Sequence, residues 1–329
     1  MVVSQLTPRG IVSTADRDSS AGIPRVSVCV PTYNSATTVA RCLGSALAQD
    51  GVDFEILVVD DSSADGCADI VNGLLRPRDR LVINDSRLGL AGNHNRCLAL
   101  ARGTYIQFVH ADDWLLPGAL KSLVAELDGA RAGMAFAPRK VVTEDVDFVR
   151  RYGTLHANLK GLTTRNDGRA LVLQMVARGL HHNWIGEPTC VMFRRQIALD
   201  AGGFRDDIYQ LLDLDLWLRL MVRTTVCFVP GELSVRSHTA ASESVRNKAT
   251  GRDWLDQLRL LTSMVVDREA SPLIRAVSLL WWLPIWLRVT VEGAVLGPQR
   301  VARLKTALAA PFTEFGRARG MLGPADARG

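Results

Sequence analysis

No two of the six cysteines form a C-x-x-C pair, and no uncharged apolar run is long enough to span a bilayer. Cys29, Cys42, Cys67, Cys97, Cys190 and Cys227 are scattered among mostly apolar neighbours. That is the pattern of small buried hydrophobes in a reducing compartment, and it excludes a disulfide framework. The best membrane candidate, "AVSLLWWLPIWL" at 276–287, has only 12 residues, whereas a spanning helix needs about 20. Lys and Arg exceed Asp and Glu by only five, and no basic run is interleaved with aromatics. These absences argue against a nucleic-acid partner. Residues 1–23 lack the apolar core of a secretory signal and read as a flexible leader, so the expected location is cytoplasmic. There is no internal repeat.

What is present is an ordinary globular composition, with 47% hydrophobic and 22% charged residues. Short apolar runs alternate with helical segments through the first 130 residues. The pattern predicts strands at 25–30, 54–60, 80–85 and 104–110, and helices at 36–48, 65–75, 89–102 and 117–129, the third stopping at Arg102-Gly103. Such alternation implies βαβ units and a mostly parallel sheet flanked by helices. Further on, "MAFAPRKVV" reads as a strand, 144–168 as a polar stretch, and 168–179 and 210–223 as helices. The tail beyond 250 is helical and basic. The expected division is a 1–23 leader, a domain at 24–245 (halves 24–132 and 133–245), and a helical basic C-terminal extension at 246–329.

In an open parallel sheet, ligands bind beyond the carboxyl ends of the strands. Here those ends read "PTYNSAT", "DDSSADG" and "HADD". The first lacks the G-x-G-x-x-G of a dinucleotide fold, which counts against a nicotinamide or flavin enzyme. An acidic pair after a strand is also found in phosphorelay receivers, but there it follows the first strand rather than the second. Asp112 and Asp113 stand together beside an apolar strand, which is costly unless a cation lies between them. Their bland alternative is a cap on a helix at Trp114–Leu120. In "LLDLDLWLRL", Asp215 has Arg219 four residues on, an ordinary helical ion pair. Asp213 faces Trp217 at that spacing and has no such partner, so both carboxylates remain candidates for a general base.

The segments "VSVCVPTYNSATTVARCLGSALAQ", "FEILVVDDSSADG", "GTYIQFVHADDWLLPGAL" and "GGFRDDIYQLLDLDLWLRL" occur in the order and spacing of family 2 glycosyltransferases. Over roughly residues 25–240 the chain resembles these enzymes, whose fold is GT-A. The resemblance implies inverting transfer from a nucleotide-diphospho-sugar, a UDP-sugar foremost, to a saccharide or lipid-linked acceptor, with Mg²⁺ or Mn²⁺ as cofactor. It implies Pro31, Thr32 and Tyr33 at the nucleoside, Asp61 on the base, Asp112 on ribose or metal, and Asp113 on metal. It makes Asp213 the catalytic base and puts Glu187 and Trp217 at the acceptor. The "SVRSH" segment resembles the family's R-x-H ending, with Arg236 at the nucleotide-sugar and His238 on the metal. His110 stands where the family often carries a further acid, and His94 where it often has Arg; packing within the strand is the expected role of His110. The implied setting is cell-surface polysaccharide or glycolipid biosynthesis. Other readings are a nucleotidyltransferase, a catalytically silent nucleotide-sugar-binding protein, and a soluble enzyme for small-molecule acceptors. The 276–287 run reads either as a buried helix or as an interfacial one. In the latter case 272–305 touches the inner face of the membrane, with Trp281, Trp282 and Trp286 at headgroup depth and Arg275, Arg288, Arg300, Arg303 and Lys305 near anionic lipid.

Overall fold

The computed structural model describes residues 22–239, 250–295 and 299–322. The expected leader, except its last two residues, and the soft boundary near 245 lie outside the described residues. The four predicted N-terminal strands appear as β1 (Val26–Thr32), β2 (Phe54–Asp60), β3 (Arg80–Ile83) and β4 (Tyr105–Phe108). Every residue of β2 and β4 is buried, as continuous apolar runs are when helices cover both faces of a parallel sheet. The covering helices are α1 (Val39–Leu47), α2 (Cys67–Leu74) and α3 (Gly89–Leu100). Helix α3 stops two residues earlier than Arg102-Gly103 suggested. Gly103 instead serves a close approach: a Cβ there would lie 2.4 Å from the Ser27 amide nitrogen.

Strand β5 (Trp114–Leu115) precedes α4 (Ala119–Ala130), so the Asp112–Asp113 pair sits in a turn and caps no helix. The predicted strand at 134–142 breaks at Ala137-Pro138 into β6 (Met134–Phe136) and β7 (Arg139–Val142), which join different sheets. Within the supposedly irregular 144–168 lie α5 (Val146–Tyr152), capped by the Asp145 carboxylate on the Phe148 amide at 2.9 Å, and β8 (Arg165–Asp167). There follow α6 (Gly168–Val176), β9 (Val191–Arg194), α7 (Arg195–Asp200), α8 (Leu212–Met221), β10 (Thr225–Phe228) and β11 (Ser234–Ser237). The main sheet runs β3-β2-β1-β4-β9-β6-β10-β8, with β9 antiparallel to both its neighbours. A small sheet, β5-β11-β7, lies apart from it.

The chain closes with α9 (Asp256–Val266), α10 (Pro272–Val295) and α11 (Arg300–Leu322). Leu258 and Leu261 of α9 and Ile274, Trp282 and Ile285 of α10 belong to the same apolar cluster as Phe108 and Trp217. Helix α10 has 24 residues, twice the length of the uncharged run, and by length and composition is sufficient to cross a membrane.

Asp215 and Arg219 form a fully buried pair, with Nε donating to Oδ2 at 2.9 Å. The guanidinium also donates to the Ala201 and Gly203 carbonyls, each at 2.7 Å, fastening α8 to the turn after α7. Removing one partner of such a pair leaves a buried charge uncompensated. Arg219→Met should therefore lower the unfolding free energy by about 3–5 kcal/mol in urea titration.

Candidate active site

The carboxyl ends of β1, β2 and β4 open on one cleft of about 1120 Å³, also lined by α5, α8, β11 and α10. Pro31, Thr32 and Tyr33 line it, as do Asp61, Asp112, Asp113, Glu187, Asp213, Arg236 and His238. Thr32 Oγ1 donates to Asp60 Oδ1 at 2.9 Å, and the Thr32 carbonyl accepts from the Asp61 amide at 2.8 Å, which joins the first two loops. The Asp61 carboxylate accepts from Asn84 Nδ2 (2.9 Å), the Leu88 amide (2.7 Å) and the Gly89 amide (2.9 Å). With about four acceptor positions on a carboxylate, little capacity remains beyond ordering the entry to α3. Arg87, which the sequence did not single out, stacks its guanidinium over the Tyr33 ring at 4.0 Å.

Asp113 is buried, accepting from Thr189 Oγ1 at 2.8 Å and the Ser237 amide at 2.9 Å. Burial and the adjacent Asp112 push its pKa up to about 7, against the opposing pull of Arg236 and these two hydrogen bonds. Arg236 is ion-paired with Glu187, which also binds Arg139 Nε at 2.7 Å. Glu187, expected at the acceptor, thus lies on the cleft wall with its carboxylate held between two guanidiniums.

Among the described residues no three His, Cys, Asp or Glu side chains converge as a metal site. The expected set of Asp112, Asp113 and His238 is not among such groups, and the His238 ring stacks on Phe148 at 3.8 Å. The carboxylate pair still fits Mg²⁺ or Mn²⁺, hard cations that take one or two carboxylates and complete their shells with phosphate and water. His110 lies just past β4 with Nε2 3.3 Å from His94 Nε2. Its Nδ1 is 3.9 Å from Asp113 Oδ2, too far for a hydrogen bond. His94 is buried against Phe108 and Phe204, and that burial drives its pKa down to about 3.

Trp217 requires a correction. It is fully buried, packs on Phe193 and donates Nε1–H to the Gly186 carbonyl at 2.9 Å, so it supports the loop before Glu187 and does not face the cleft. One turn of α8 away from the cleft is enough to place this apolar side chain in the core.

Asp213 lies in the first turn of α8, half-buried on the cleft, and no described residue donates a hydrogen bond to it. Burial alone pushes its pKa up to about 7. The loop leading to it is held by Asp256 of α9, whose carboxylate accepts from the amides of Tyr209 (3.1 Å), Gln210 (2.6 Å) and Leu211 (3.1 Å). Of the two candidate bases, then, Asp215 is committed to Arg219 and Asp213 is uncommitted. Phe148 and Tyr152 of α5 and Arg288 and Glu292 of α10 also line the cleft unannounced by the sequence. The Asp145-x-x-Phe148 cap was the available signal for the first pair.

Residues 27–200 match the family described as Glycosyl transferase family 2. The chain belongs to glycosyl transferase family 2. It is 57% identical to an uncharacterized protein of Mycobacterium tuberculosis over 92% of this chain and 95% of that one. It is 38% identical to the succinoglycan biosynthesis protein ExoO of Rhizobium meliloti, over 40% of this chain and 37% of that relative. Its fold is that of S. aureus TarS in complex with UDP-GlcNAc, with TM-score 0.66 at 17% identity, covering 92% of this chain and 82% of that one. This glycosyltransferase thus has the GT-A architecture, with C-terminal helices.

The Asp213 carboxyl is harder to ionise in the folded chain than in the unfolded one. Unfolding therefore releases a proton between the ordinary value of 3.8 and about 7, and stability falls as pH rises through that window. Asp213→Asn removes this contribution. The variant should melt at a higher temperature than wild type at pH 8 and at nearly the same temperature at pH 4, as read by calorimetry.

Proposed function

We propose that this glycosyltransferase is inverting and uses a divalent metal. It would move a sugar from a nucleotide-diphospho-sugar, a UDP-sugar foremost, to an acceptor hydroxyl in polysaccharide or glycolipid biosynthesis at the inner face of the membrane. The observation that carries the reading is Asp213: a carboxylate on the cleft to which no described residue donates a hydrogen bond, in the same cavity as Asp112 and Asp113. A general base works best with a pKa near the operating pH, and burial brings Asp213 there.

In this mechanism Asp213 takes the proton of the acceptor hydroxyl. The acceptor oxygen forms a bond to the anomeric carbon as the bond from that carbon to the diphosphate oxygen breaks, and one displacement inverts the configuration. Pro31, Thr32 and Tyr33 line the nucleoside pocket, with Asp61 ordering the entry to α3 and offering the base only the acceptor capacity its three donors leave. Arg236 offers a guanidinium to the diphosphate, a geometry suited to two parallel hydrogen bonds. Asp113, with Asp112, would hold Mg²⁺ or Mn²⁺, which supplies charge stabilisation to the departing nucleoside diphosphate.

A thermal-shift screen of nucleoside diphosphates with and without Mn²⁺ tests the reading. A ligand at 100 times its Kd stabilises by about 2.7 kcal/mol, and the matching nucleotide should show a larger shift when Mn²⁺ is present. Asp113→Asn should abolish the Mn²⁺-dependent part. Asp213→Asn should keep the shift and lose roughly 10²–10⁴-fold in kcat. Full turnover by that variant would remove Asp213 from the base role, and no metal-dependent shift with any nucleotide would overturn the metal-dependent reading.

A further inference from the structure

Helix α10 is apolar on two opposite sides. Its inner side, including Ile274, Trp282, Ile285 and Val289, packs against the protein. Its outer side repeats Leu273, Leu280, Leu283, Leu287 and Val291 at helical spacing, with Leu280 75% and Val291 63% exposed. At 1.5 Å per residue, the stripe from Leu273 to Val291 runs for about 27 Å. The adjoining helix α11 exposes Val301, Leu308 and Phe312, the last 83% exposed. Isolated exposed hydrophobics are normal, but a continuous stripe of large aliphatic side chains marks an interaction surface.

Charge identifies the occupant. Residues 272–320 hold seven Lys or Arg against two Asp or Glu. That excess equals the net +5 of the whole chain, so the remaining sequence is balanced. Arg275 and Arg288 stand on α10, and Arg300, Arg303, Lys305, Arg317 and Arg319 on α11. Arg288 pairs with Glu292 at 3.8 Å, and Arg317 with Glu314 at 2.8 Å and Asp207 at 3.8 Å. Arg275 and Arg303 donate to the Asp267 and Gly251 carbonyls and keep their charge uncompensated by these contacts. A second copy docked face to face would set these like charges against each other. A perpendicular crossing of a bilayer by α10 would carry α6, α9 and α11, packed along its inner side, into hydrocarbon. An anionic lipid surface satisfies both the stripe and the charge.

We infer that α10 and α11 seat the protein on an anionic bilayer, with α10 lying in the plane of the headgroup–acyl boundary. Arg288 and Glu292 line the cleft from this same helix, so docking brings that end of the cleft to the lipid surface. Resting on the transferase reading above, this makes the acceptor class a sugar borne by a membrane lipid.

Vesicle flotation without nucleotide tests the surface, using phosphatidylcholine alone or mixed with phosphatidylglycerol. The protein should float with the mixed vesicles at least about tenfold better than with the neutral ones, and less so at high salt. Because α9 to α11 share the core, point substitutions replace truncation. The double variant Leu280→Asp, Leu287→Asp should stay in the bottom fraction while keeping the wild-type melting temperature and nucleotide shift. The inference is overturned if wild type fails to float, floats regardless of lipid charge, or floats equally well as the double variant. A solution dimer that the variant dissociates, or retention in vesicles after alkaline carbonate washing, overturns it in favour of a second copy or a spanning helix. Because no turnover is read, a failure here leaves the transferase reading standing, and a failed nucleotide screen leaves the docking result standing.

Discussion

Parallel strands all end on the same edge of a sheet, and the placing of Pro31, Thr32, Tyr33, Asp61, Asp112 and Asp113 on the cleft follows from that constraint. The β1–β2 register runs from Val26 opposite Phe54 to Thr32 opposite Asp60, so the first two loops leave the sheet at one level. Strand β4 pairs with β1 on its other side and delivers Asp112 and Asp113 to the same edge. Antiparallel β9 then lets β6, β10 and β8 extend the sheet, and β11 returns Arg236 beside Asp113 through the small sheet. Carboxylates far apart in the sequence meet because the sheet leaves the loops that carry them no other exit.

The cleft gathers charges at unequal cost. Asp215 has its cation built in, and Asp61 has three donors, so both carboxylates are tied into the fold. Asp113 is buried beside another carboxylate, and Asp213 is half-buried with no donor among the described residues, so both resist ionisation. Groups whose environments raise their affinity for a proton or a cation are more often found at sites of chemistry than in scaffolding. The distinction between the two aspartates of "LLDLDLWLRL" is therefore a distinction of surroundings, since residue type and neighbourhood in sequence are nearly the same.

The N-terminal strands and helices were legible because they follow one another locally. Fully buried strands read as apolar runs, and the polar residues beyond them marked the edge where the cleft opens. The Asp215–Arg219 pair was legible from its spacing of four. Trp217 was misplaced because helical spacing relates two residues on one face without saying whether that face meets solvent or core. The stacking of His238 on Phe148 was not legible, because α5 was hidden in a stretch too polar to show periodicity. Arg87, Arg288 and Glu292 reach the cleft from elements brought there only by tertiary packing, which no local pattern encodes.

The three amides before α8 that converge on Asp256 have a consequence for where this enzyme ends. The carboxylate fixing the approach to Asp213 belongs to α9, beyond the segment at which a sequence reader would divide the chain. A piece cut at residue 245 would retain every motif by which the family is recognised, yet leave Tyr209, Gln210 and Leu211 without their shared acceptor. The segment matched by the family and the unit that packs together are thus different lengths of polypeptide. The helices that appear appended belong to the scaffold of the cleft.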